Sequence, residues 1–288
     1  MLFGRTEPGV QLTDEKLKKL MKRICILIFL AVISFRSNVS YCQSDLSRSL
    51  NLMYDRIIVA SDNDKPIIND SIRTLVEGYI YSDTIFKNQL SGVKFLGELQ
   101  SNDKNLKIVN WNVMDSDGDN SYYCYFIKKN KKENRVFKLE GKYNVAGIDS
   151  SKVFGADDWY GALYYDVRHF RSNRRDLYMV LGYDYTALGE SRKIIDIVGF
   201  DDNGIYFGDG VLDMNGATLK RHILKYSSDG VVSLRFHSNK SVVFDHLAAF
   251  LNEESSVPSY GSALSFDAFI LEKGIWKFYS NVDIRNQK

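Results

Sequence analysis

The sequence has little of what interrupts, crosslinks or catalyses. Three prolines in 288 residues leave no room for long disordered linkers. Of three cysteines, Cys25 and Cys42 fall in the leader described below, and Cys124 stands alone. A processed chain then has no intrachain disulfide, and stability rests on packing. Only four histidines occur, and His169, His222 and His237 lack metal-ligand spacing, which argues against zinc. Neither a Gly-x-Ser-x-Gly elbow nor a phosphate-cradling Gly-Lys loop is present, so no hydrolase-elbow or nucleotide signal is read and no cofactor is expected. Net charge is also small. The formal value is +2, and seven basic and three acidic residues in 1–42 account for +4 of it, leaving −2. A nucleic-acid binder would present a basic face, so that partner class is excluded. The one dense basic run, Lys128-Lys129-Asn130-Lys131-Lys132, reads as a solvated hairpin loop.

Long hydrophobic runs are missing as well. The longest, Ile24–Phe35, has twelve residues, against the ~20 that a bilayer span needs. Lys22-Arg23 precede it, and Ser40-Tyr41-Cys42 follow with small residues at the −3 and −1 positions. A basic start, an apolar middle and a small-residue exit make a secretory signal peptide. Met21 then reads as the true start, residues 1–20 as an upstream over-extension, 21–42 as the signal and Gln43 as the mature start. No span remains in the mature chain, which is expected in the periplasm or outside the cell. The rival reading makes Cys42 a lipid-modified first residue, against which the bulky Tyr41 argues.

What is abundant is aromatic: 18 Tyr and 17 Phe, which suit pleated, half-buried surfaces. Residues 43–92 read as helical. Leu46, Leu50, Met53, Tyr54, Ile57 and Ile58 recur at helical spacing over 45–60, and a second helix from Pro66, capped by Asp64, runs to about Phe86. Residues 93–288 read as an all-β domain of roughly thirteen strands at about ten-residue spacing. They form three groups: four strands from Val93 to Lys142, four from Trp159 to Asp209, and five from Lys220 onward. The central group closes on an Asn203-Gly204 turn, where Asn-Gly supplies the positive φ angles of a tight hairpin. The expected fold is mainly β: antiparallel meander sheets, blade-like, partial-propeller or sandwich, with the two helices lying on the β body.

Three sets of residues have chemical potential. Asp115, Asp117 and Asp119 alternate as calcium ligands do, but Asn120 and Phe126 stand where that pattern needs Gly and a carboxylate, so a polar hairpin turn is the plainer reading. Seven aspartates follow an aromatic or aliphatic residue within strands: Asp166, Asp184, Asp196, Asp201, Asp245, Asp267 and Asp283. Strands are depleted of Asp. Either these carboxylates accept backbone N–H bonds and tie strands down, or several converge on one pocket, where a pair could hydrolyse a glycosidic bond. His246 beside Asp245, with Asp267 as partner, is the best acid–base candidate. Trp159, Asp166 and Asp184 are candidate ligand contacts in the central group. Trp111, Trp159 and Trp276 would form a sugar-stacking platform if exposed, but core packing is the default. Cys124, inside Tyr122-Tyr123-Cys124-Tyr125-Phe126, reads as a buried, inert thiol.

Several stretches, in this order, carry a resemblance: Asn110-Trp111-Asn112, the run 159–166, the run 193–204, the run 242–247, Ser265–Phe269, Lys273–Trp276 and 281–286. Over them, from about Asn110 to Asn286, the chain resembles a family of uncharacterised secreted bacterial proteins. The resemblance implies export and a coherent fold, and no catalytic roles. The expectation for function is an exported, non-catalytic binding or scaffold domain for an envelope or extracellular ligand. The alternative is an envelope glycan hydrolase using Asp245 and Asp267 with His246.

Overall fold

The computed structural model describes residues 45–186, 190–227, 230–250 and 259–283. The expected leader, its Cys42 and the over-extended start lie outside the described residues. The chain divides into two compact units at Ser49/Leu50. Of the first, only 45–49 is described, the opening turn of a helix.

Among the described residues, helix α1 (45–59) and helix α2 (Lys65–Ile80) precede fifteen strands. Pro66 fits the first turn of α2, where its missing N–H costs nothing. Asp64 makes no side-chain cap. Its carboxylate instead accepts the Ser61 hydroxyl at 2.7 Å. The helix stops at Ile80, short of the expected Phe86, with Tyr81 as its C-cap.

The strands form three sheets, antiparallel apart from one short parallel pair. The first is a meander in order β1-β2-β3-β4: Gly97–Gln100, Leu106–Met114, Asn120–Lys128 and Arg135–Lys142. The second has the order β11-β7-β6-β5 (Arg221–Ser227, Glu190–Asp201, Arg175–Asp184, Leu163–Ser172), and β8 (Gly204–Phe207) pairs with the far end of β7. The third has the order β10-β9-β15-β14-β13-β12: Ala217–Leu219, Leu212–Met214, Ile275–Val282, Ser259–Glu272, Ser241–Phe250 and Leu234–Ser238. Its β9–β15 pair is the parallel one.

This corrects the expected grouping in two places. The strand from Arg221 belongs to the second sheet, and the third recruits the short hairpin β9–β10, which was not expected. That hairpin turns on Asn215-Gly216 at φ 56° and 88°, as β5–β6 turns on Asn173-Arg174 (47° and 65°) and β14–β15 on Lys273-Gly274 (51° and 87°). Both central residues are left-handed, which suits the twist of the flanking strands. The β7–β8 turn is different. Asp201 pairs with Gly204, so Asp202-Asn203 form the turn, and Asp201 Oδ1 accepts N–H bonds from Asn203 (2.8 Å) and Gly204 (3.0 Å).

Alternation explains the layering. Along β6, Tyr178 and Val180 pack with Leu106, Ile108, Tyr122 and Phe126 of the first sheet, while Leu177, Met179 and Leu181 pack with Val242, Phe244 and Phe269 of the third. Along β7, Ile194 and Val198 take the first direction, Ile195 and Ile197 the second. The second sheet is therefore the middle layer of three, buried on both faces, which is why β6 and β7 read as nearly unbroken apolar runs. A stacked sandwich, and not a propeller fragment, is the arrangement. Each large apolar side chain so buried is worth ~1.5–3 kcal/mol.

Helix α2 covers the outer face of the first sheet. Its buried Ile68, Asn69, Ile72, Val76 and Tyr79 fall at helical spacing. Trp111 Nε1 donates to Asn69 Oδ1 at 2.8 Å, and the Tyr125 hydroxyl donates to Glu77 at 2.6 Å. Lys128, expected in a solvated loop, ends β3. Its ammonium bonds the Tyr178 hydroxyl and lies over the Tyr178 and Phe200 rings.

Candidate functional site

Polar residues enter the two inter-sheet layers in different ways. Between the first and second sheets they form closed networks. Asp196 and Arg221 are cross-strand partners, both with no exposed surface, joined at 2.9 Å. Arg221 also donates to the carbonyls of Asp149, Lys152 and Phe207. Asp196 accepts from the Tyr160 hydroxyl (2.9 Å) and the Ile197 N–H (2.7 Å). Burial pushes its carboxyl up, opposed chiefly by the Arg221 guanidinium. The Tyr160 hydroxyl is linked to Tyr164, whose hydroxyl takes the Trp159 indole N–H at 2.9 Å. A second network joins buried Asp184 to Arg192 and the Tyr122 hydroxyl, each at 2.9 Å.

These networks absorb three of the sequence candidates, Trp159, Asp184 and Asp196. Trp159 and Asp184 are buried in them. Asp166 is a half-buried partner of Arg168. The three candidate ligand contacts therefore do not share one cleft surface. Trp111 and Trp276 are buried too, and burial pushes the Cys124 thiol up. Asp115 Oδ1 accepts the N–H groups of Asp117 and Asp119, and Thr186 donates to Asp119, so the three acids shape a turn. Among the described residues, no group of three His, Cys, Asp or Glu is placed to hold a metal. Asp201 faces a separate concavity of about 710 Å³ beside Arg135 and Tyr206.

Between the second and third sheets the interior is apolar, and at one end it opens into a pocket of about 340 Å³. Here Asp245, His246 and Asp267 do come together. Irregular pairing aims them. The β13–β14 register shifts between Asp245 and Leu247, leaving His246 outside the ladder. The β14–β15 register shifts between Phe266 and Ala268, beside Asn281 at φ 52°. Bulges of this kind re-aim side chains. His246 Nδ1 lies 2.9 Å from Asp267 Oδ2, and the Asn281 N–H donates to Asp267 Oδ1 at 3.1 Å. An ionised carboxylate only accepts, so His246 Nδ1 carries the hydrogen of that bond. Asp245 Oδ2 accepts the Ser233 N–H at 3.0 Å. Both acids thus have backbone anchors.

The opposite wall comes from β11, where His222, Leu224 and Tyr226 share one face and Leu224 reaches the pocket. His222 was set aside in the sequence for want of metal spacing. Its ring packs on Phe244 (5.3 Å) and Phe269 (5.6 Å) and meets no hydrogen-bond partner among the described residues. Burial pushes it down to about 4, while the charge of Asp267 acts the other way. The ring is therefore neutral at neutral pH. The signal that could have found it is its period-two spacing with Leu224 and Tyr226, which turns it inward.

No family model matches the chain, and no curated protein or solved structure matches it.

Proposed function

We propose that this chain is an exported binding domain that holds a small ligand between its second and third sheets. One observation carries the reading: two register shifts in neighbouring strand pairs aim His246 and Asp267 into an apolar-walled pocket whose inner histidine has no hydrogen-bond partner among the described residues. Small-molecule sites are of this type, concave and mostly apolar with a few convergent polar groups. The anchoring of Asp245 and Asp267 by backbone N–H groups supports a holding role over proton transfer. Export rests on the leader, and the resemblance to secreted bacterial proteins agrees with it. Amide and imidazole NMR shifts during a fragment screen test the pocket: hits should move His222, Leu224, His246 and Leu247 together. Hits that moved only residues elsewhere would end the reading. N-terminal sequencing of protein recovered from the envelope should begin at Gln43.

The second reading, a glycan hydrolase using Asp245 and Asp267 with His246, has one observation in its favour: all three line the same pocket. Release of reducing ends from envelope glycan, lost in Asp267→Asn, would establish it in place of the first.

A further inference from the structure

The polar groups of this pocket select among ligands. The side chains in reach of an occupant are Met214, Leu224, Phe244 and Leu247 for its body and His222, His246 and Asp267 for its head. The cation at the rim, Lys225, is paired with Glu190 at 3.5 Å. Asp267 is 7% exposed, and its two protein bonds leave lone pairs over, since a carboxylate has about four acceptor sites. On one side of it the His246 ring turns its Nδ1 edge to the carboxylate. On the other, the neutral His222 ring has a lone pair with no donor among the described residues. The head of the pocket thus sets two low-exposure carboxylates, Asp267 and Asp245, beside the His222 ring, with an aromatic ring, Phe244, in the wall.

An anionic head group would face Asp267 and Asp245 at close quarters. A hydroxyl would fill one acceptor and leave the charge uncompensated. A primary ammonium has three donors and one positive charge, and it also gains from an aromatic face. We infer that the pocket takes a small primary amine with an apolar body, its ammonium held by Asp267 between the His222 and His246 rings. This inference rests on the binding-domain reading above and gives it a substrate class. Charge-assisted bonds of this type are about twice as strong as neutral ones, so the preference for the amine is the measurable consequence.

The test uses three probes of one shape that differ only in the head group: 2-phenylethylamine, 2-phenylethanol and phenylacetate. Each is titrated into the purified full chain at pH 8, followed by calorimetry and by the imidazole resonances of His222 and His246. The amine should bind at least tenfold more tightly than the alcohol, and phenylacetate should be the weakest. Asp267→Asn retains an acceptor for the Asn281 N–H and removes the charge, so it should bring amine and alcohol to within about threefold. His222→Phe retains ring volume and removes the inner acceptor, so it should narrow the preference by a smaller factor. Alcohol or acid binding as tightly as the amine, while moving both imidazoles, overturns the amine inference and leaves the pocket reading standing. Amine binding unchanged in Asp267→Asn also overturns it. If no probe moves either imidazole, both fall. The comparison among probes in the unmutated chain needs no variant to fold.

Discussion

Arg221 and His222 are consecutive residues on β11, and they enter opposite interfaces of the same sheet. Arg221 turns toward the first sheet, where four hydrogen bonds hold it, one of them its ion pair with Asp196, and two aromatic rings, Phe154 and Tyr160, cover it. His222 turns toward the third sheet, between Phe244 and Phe269, with no hydrogen bond among the described residues. One interface is closed by polar pins that reach across it, and the other is apolar and ends in a pocket. The lesson is that buried charge on this fold marks what is fixed, and an unfilled imidazole marks what is open.

The largest expected effect comes from breaking a pin. Arg192→Leu leaves Asp184 buried without its cation, and removing one partner of such a pair costs about 3–5 kcal/mol. Denaturant unfolding should show that loss; a change under 1 kcal/mol would mean that the pins of the first interface are ornamental. Next comes Leu181→Ala on the apolar side. Leu181 is fully buried, and truncation there should cost about 2–5 kcal/mol by lost transfer energy and cavity. It should leave the pH dependence of stability as it was, since no titrating group is removed.

The pH dependence itself sharpens the contrast. His222 is pushed down to about 4 in the folded state from an ordinary 6.5. Between those values the unfolded chain binds the extra proton, so stability rises with pH across that window and is lost as pH falls through it. The loss reaches at most about 3 kcal/mol, from 1.36 kcal/mol per unit. The difference in unfolding free energy between the parent and His222→Phe should therefore vary from pH 4 to 6.5 and be flat above 7. A constant difference across that range would show that His222 is not held neutral. A smaller effect than at either pin is expected from Tyr160→Phe, which removes one hydroxyl from Asp196 and should cost about 1.5–2 kcal/mol, the lower part of the range for bonds to a charged group.

Much of this was legible in the sequence. Period-two alternation located most strands, and helical spacing located α1 and α2. His246 with Asp267 was legible as a pair because Asp within strands is unusual enough to need a reason. Other features were not legible, for physical reasons. Local pattern says that Arg221–Ser227 is a strand, and nothing in it names β7 as the partner. Asp196 is an internal ion pair because of a residue 25 positions away. The hairpin at Asn215-Gly216 carried the same dipeptide signal as Asn203-Gly204, but its strands have three residues each and show too little alternation to read. The register shifts that aim His246 and Asp267 arise from pairing between three strands, which no single stretch encodes.

The most direct test sets the two neighbours on β11 side by side. Unfolding free energies of Arg221→Leu and His222→Phe, measured at pH 8 in the same denaturant series, should differ sharply. Arg221→Leu should lose about 3–5 kcal/mol, because it leaves Asp196 as an unpaired buried charge. His222→Phe should stay within about 1.5 kcal/mol, because it exchanges one flat ring for another of similar volume. Equal losses, or a greater loss at His222, would contradict the division of this sheet into a pinned face and an open one.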